Sequence, residues 1–281
     1  MMNRETILSL YDTPDPSRPG KTVPGYDREH ARRTAVVVTK LAAMLGVRSY
    51  ALEKLEATAL LHDIGRVGMD PKLFGAIFTI AQGHGLPVRL PQLLEAYPGT
   101  VEAEAPSLFL KLVRPHIEQE GVEVDGRVVD HIRMRMDFKG RLREVLRERA
   151  GVLRGLGVEV EPWMEKVMLY YYYPQDIAGE PEEVRLMGMV LVAGENFEAY
   201  NNCTRGRDYY GRRKESLEDA FRTLDGFVER GLVTRPVLDA LKKLAASGGL
   251  NAVVNEARGL PSGAALPEED RRFLRRMAHP S

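Results

Sequence analysis

The stretch ATALLHDIGRVGM, residues 57–69, constrains this chain more than any other: an apolar helical run ends in an adjacent histidine and aspartate, and glycines follow. Burying an imidazole beside a carboxylate costs free energy unless the two are paired or share a cation. A fold that takes this segment into its core must therefore bring partners to it. At a helix end the backbone bends, so His62 and Asp63 can both turn towards one ion. Upstream, His30 shares one side of a predicted helix with Val37, Leu41 and Leu45, and antiparallel packing of the two helices would carry His30 towards His62. A hydrogen-bonded couple that merely holds two helices together would use the same residues.

Apolar spacing predicts helices over 28–45, 50–63, 71–82, 107–120, 126–149, 162–173, 181–201, 215–230, 235–246 and 267–277. Asp27 stands where an N-cap belongs, and Gly46 where the first long helix must close. Pro162 and Pro181 sit at tolerated first-turn positions, with Glu165, Glu182 and Glu183 close behind to complement the helix dipole. No convincing run of alternating strand residues occurs. The expected fold is all-α, a helical bundle with a helical and loop insertion. Residues 1–26 read as an extended lead-in, with Pro and Gly concentrated over 12–26, and 27–246 as the helical domain. Within it, 83–160 is an elaboration or insertion, and 247–281 is a C-terminal helical extension.

Forty basic residues balance forty acidic ones among 281, so no global field points to duplex nucleic acid or a membrane. The single cysteine, Cys203, excludes an internal disulfide framework and a thiolate metal cage. No apolar run reaches membrane-spanning length and none of signal-peptide type opens the chain, so the expected location is cytoplasmic. The sequence leaves a homo-oligomer open.

His30, followed by His62-Asp63 in LLHDIGRVG, resembles the signature of the HD-domain phosphohydrolase superfamily. It is most similar to the HD-GYP branch, which reads HDIGK-[IV]-G; Arg66 stands here in place of the lysine. Farther on, VAGENFEAYN is similar to the V-A-D-x-F-D-A-L pattern in which that branch carries its closing ligand. Matching Phe197 and Ala199 places Glu195 on the ligand position. The apolar run LMGMVLVAG before it reads as a buried helix, whose carboxylate needs a cation or a strong hydrogen-bond partner; an ion pair with an arginine would look the same. RGRDYYGRRK, residues 205–214, resembles the basic turn that follows in the same branch.

The branch's later histidines and its Gly-Tyr-Pro loop do not occur: YYYY stands at 170–173, and no histidine lies between His131 and His279. The resemblance therefore implies a single-metal set of His30, His62, Asp63 and Glu195. Two imidazoles and two carboxylates suit Mn, Fe, Ni, Zn or Mg alike. The implied activity is a metal-dependent phosphohydrolase or phosphodiesterase acting on a small phosphoester or nucleotide. Asp63 would orient the water, and Arg66 would offset phosphate charge. Arg205, Arg207, Arg212, Arg213 and Lys214 would bind phosphate, unless they pair with the acidic helix that follows. Two rivals are a degenerate HD domain serving as a nucleotide- or protein-binding sensor or scaffold, and a two-iron HD oxygenase, which would need His84. His84 in its Gly-flanked turn, and His116 and His131 on charged helices, read as surface histidines. The four tyrosines read mostly as core.

Overall fold

The computed structural model describes residues 2–15, 17–203 and 216–278. They form the all-α bundle that the apolar spacing predicts. Its helices are α1 (Arg4–Leu8), α2 (Arg28–Met44), α3 (Ser49–Leu61), α4 (Pro71–Gly83), α5 (Leu90–Ala96), α6 (Ala105–Gln119), α7 (Gly126–Met136) and α8 (Phe138–Glu148). They continue with α9 (Ala150–Gly155), α10 (Pro162–Leu169), α11 (Glu182–Asn201), α12 (Leu217–Glu229), α13 (Arg235–Ala246), α14 (Asn251–Ala257) and α15 (Glu268–Ala278). Short α1, α5, α9 and α14 carry too few turns to show a helical period in the sequence. The lead-in is less extended than expected: β1 (Thr13–Pro14) and β2 (Thr22–Val23) pair antiparallel, with Thr13 opposite Val23.

The predicted helix over 126–149 is two helices. Asp137 breaks it at φ −139° and then caps α8, accepting from the Gly140 N–H at 3.0 Å. An aspartate prefers such a cap to a helix interior, where its side chain competes for backbone N–H groups. The helix predicted to 173 ends at Leu169, and Tyr170–Tyr173 turn away from it. Asp27 occupies the N-cap position of α2 but makes no side-chain capping bond; it is buried instead.

The molecule holds two apolar clusters. The larger joins α2, α3, α8, α10, α11, α12 and α13, with Val37, Leu41, Leu55 and Phe197 fully excluded from water. Each such side chain contributes about 1.5–3 kcal/mol of burial free energy. The smaller runs from Met69 to Met136 and packs Phe74, Ile77, Phe109 and Ile132 between α4, α6 and α7. Phe138, Leu142 and Leu153, beyond Asp137, belong to the larger cluster. At its centre α2 packs along both α3 and α11. Gly194 permits the second contact: a Cβ there would lie 2.7 Å from Cγ2 of Val38. Among the described residues no helix is long and apolar enough to cross a membrane.

Candidate metal centre

Three elements converge at one end of the α2–α3–α11 core. His30 projects from the first turn of α2 and is 1% exposed. His62 follows directly on α3, and Asp63 opens the turn Ile64–Arg66; both are buried. That turn lies close under α8, since a Cβ on Gly65 would come within 3.1 Å of the Leu142 backbone. Glu195, half-buried, comes from α11. Ligand atoms of His30, His62 and Glu195 lie within 4.8 Å of one another. Asp63 Oδ2 stands 3.7 Å from Nε2 of both His30 and His62.

The hydrogen bonds behind the rings fix their tautomers. His62 Nδ1 lies 2.7 Å from the Ala59 carbonyl oxygen. A carbonyl only accepts, so Nδ1 carries the hydrogen and Nε2 a lone pair. His30 Nδ1–H donates to Oε2 of Glu198, a residue with no exposed surface. Burial pushes the Glu198 carboxyl up, but the hydrogen bonds from the His30 ring and the Arg33 guanidinium, with the arginine's charge, outweigh it and hold it at about 2. Glu198 is therefore an ionised acceptor. Its other oxygen takes Arg33 Nε at 2.6 Å and the Asn202 amide at 3.3 Å.

Both Nδ1 atoms being committed, the two Nε2 atoms face each other at 3.2 Å. Two lone pairs repel at that distance unless a proton or a cation lies between them. Two nitrogens each ~2.1 Å from one divalent ion, subtending ~100°, would be ~3.2 Å apart. The residues therefore fit a divalent cation. Carboxylate and carbonyl groups behind ligating imidazoles are the usual support of such a site.

The structure brings His30, His62 and Glu195 into one cluster and sets Asp63 beside both imidazoles. Arg66 lies beside them, its Nε 2.9 Å from Asp63 Oδ1, its guanidinium over the Phe138 ring, and its Nη2 3.2 Å from the Tyr172 hydroxyl. Arg205, Arg207, Arg212, Arg213 and Lys214 lie outside the described residues. His84 is exposed and stacks on His116, with ring centroids 3.9 Å apart, and is not part of the cluster. His131 is not on a solvated face: it is 3% exposed, accepts the Asp70 N–H at 2.8 Å and donates to the Arg127 carbonyl at 2.6 Å. Of the four tyrosines, Tyr170 and Tyr173 are core and Tyr172 is 40% exposed.

Glu198 is the residue the sequence reading missed. Its signal was present, because it stands at the second acidic position of the V-A-D-x-F-D-A-L pattern and three residues from Glu195, on the same helical face.

An all-helical bundle whose core closes over two histidines, an aspartate and a glutamate is the class that the fold defines. A family model described as the HD domain matches residues 28–152, so this part of the chain is similar to an HD domain. The match ends before α11, which carries Glu195 and Glu198, and it does not single out the HD-GYP branch. No curated protein and no solved structure matches the chain significantly.

Proposed function

We propose that the protein is a metal-dependent phosphohydrolase or phosphodiesterase acting on a nucleotide-like phosphoester. The observation that carries this reading is the pair of imidazole Nε2 atoms turned towards each other, with both Nδ1 atoms already engaged. His30, His62, Asp63 and Glu195 would hold one divalent cation, from among Mn, Fe, Ni, Zn and Mg. When bound, such a cation lowers the pKa of a water molecule and polarises a phosphoryl oxygen.

The chain's own residues divide the remaining work. Asp63 directs Oδ2 at the cluster while Oδ1 holds Arg66, so it can orient a water and take its proton. Arg66 supplies positive charge next to the reacting phosphate. Glu198, held by Arg33, keeps the His30 ring in the tautomer that presents Nε2. The basic run 205–214 would offset further phosphate charge. The cytoplasm suits this chemistry and the single cysteine.

The test is hydrolysis of bis(p-nitrophenyl) phosphate with each of the five cations, by wild type, His62→Ala and Asp63→Ala, alongside elemental analysis of protein purified without added metal. Metal bound by wild type and lost in His62→Ala, with hydrolysis falling in both variants, is the expected result. Equal rates in all three proteins would refute the reading. The ion pair between Arg66 and Asp63 favours a second reading, a degenerate HD domain that binds a nucleotide or a protein partner without turning it over; stoichiometric nucleotide binding by metal-loaded protein without product would establish it.

A further inference from the structure

A cleft of about 600 Å³ opens beside Arg66, between the turn that carries Asp63 and the smaller apolar cluster. Four arginines line it, Arg66, Arg89, Arg135 and Arg230, against one carboxylate, Glu102. They come from four separate places in the chain. Arg66 ends the His-Asp turn, Arg89 precedes α5, Arg135 lies near the end of α7, and Arg230 follows α12.

Most arginines elsewhere among the described residues are matched by acids. Arg28 pairs with Asp12 and Glu5, Arg32 with Glu29 and Glu256, Arg143 with Glu165 and Arg258 with Asp270. Among the described residues, Arg89, Arg135 and Arg230 have no carboxylate partner. Arg135 is held by the Val88 carbonyl, which accepts from its Nε at 3.0 Å, and by the Phe74 and Phe78 rings, and Arg230 lies over the Phe227 ring. Rings and a carbonyl orient a guanidinium but leave its charge in place. Like charges gathered on one concave, partly apolar wall raise the local potential and cost free energy until an anion arrives. The remaining wall is aromatic: Phe138, Tyr171 and Tyr172 offer ring faces within the same cleft.

We infer that Arg89, Arg135 and Arg230 bind a second anionic group of the substrate, separate from the phosphate at the cation site, while the ring wall takes an aromatic or heterocyclic portion between the two. The substrate class is then a ring-bearing ester with two separated phosphate groups. This inference rests on the phosphohydrolase reading for the position of the first phosphate. Arg66 joins the two parts, because it contacts Asp63 on one side and Tyr172 on the other. The three arginines are specificity residues: they touch the distal anion and not the reacting atoms.

The test is calorimetric titration of adenosine, adenosine 5′-monophosphate and adenosine 3′,5′-bisphosphate into chelator-treated and manganese-loaded protein, in wild type and in the Arg89→Gln/Arg230→Gln variant. Both arginines are exposed and, among the described residues, without acid partners, so the variant should match wild type in circular dichroism and melting temperature. Wild type should bind the bisphosphate at least about tenfold more tightly than the monophosphate in either metal state, and the variant should lose about tenfold or more of that preference. Equal affinity of the two proteins for the bisphosphate, or no preference over the monophosphate in wild type, overturns the inference even if hydrolysis is intact. Arginine-dependent binding with no hydrolysis in any loaded protein upholds the cleft and removes the catalytic reading instead.

Discussion

Replacing Arg33 with methionine isolates the cost of leaving a carboxylate buried without its cation. Arg33 Nε meets Glu198 Oε1 at 2.6 Å, Arg33 is 8% exposed, and Glu198 has no exposed surface. Breaking one partner of such a pair costs about 3–5 kcal/mol, because the survivor keeps its desolvation penalty. Here the lower end applies, since Oε1 retains the Asn202 amide at 3.3 Å and Oε2 retains His30. The expected loss is therefore ~3 kcal/mol for Arg33→Met, measured by urea unfolding with far-UV circular dichroism. Glu198→Gln should cost ~2 kcal/mol, and the double variant should fall short of the sum by ~2 kcal/mol, because neither change then strands a charge. A loss under ~1 kcal/mol for Arg33→Met, or additivity within ~0.5 kcal/mol, would refute the argument that this pair is a desolvated unit.

Four further outcomes are expected. Gly194→Ala should destabilise by about 1–3 kcal/mol and reduce bound metal, because the new Cβ meets Val38 Cγ2 at 2.7 Å where α11 crosses α2; thermal unfolding and elemental analysis together read both effects. Tyr11→Phe removes the donor to the Leu60 carbonyl at 2.9 Å and should cost about 1 kcal/mol in the same urea assay, with metal content unchanged. Asp270→Ala strands Arg258 and frees the Leu217 N–H that Asp270 accepts at 3.2 Å, so a loss of about 2–4 kcal/mol is expected by urea denaturation. Chelation should lower the melting temperature of wild type, since a cation held at 100 times its Kd stabilises the fold by about 2.7 kcal/mol, and should leave His62→Ala unchanged.

Long, periodic elements were legible in the sequence because burial repeats in them at the helical interval. α2, α4, α11 and α13 stand within a residue or two of where the apolar spacing puts them. Asp137 was hidden because the pattern stays apolar across it, and only its side chain's preference for a cap ends α7 there. His30, His62 and Asp63 were readable from an apolar run that ends in polar groups; Glu195 needed the family pattern as well. The supporting layer was harder. Glu198 looks like any acidic residue on a helix until the packing of α11 on α2 excludes it from water. The arginines of the cleft carry no local pattern at all, since each comes from a different element and only the fold assembles them. His131 misled for the opposite reason: charged neighbours in sequence say nothing about the single face that packs inward.

Gly194 touches no donor atom, yet it stands immediately before Glu195 and brings α11 to within backbone reach of Val38. The span that a cation would bridge between the histidine of one helix and the glutamate of the other is thereby set in part by main-chain approach. A methyl group at that position would push the two helices apart without altering a single candidate ligand.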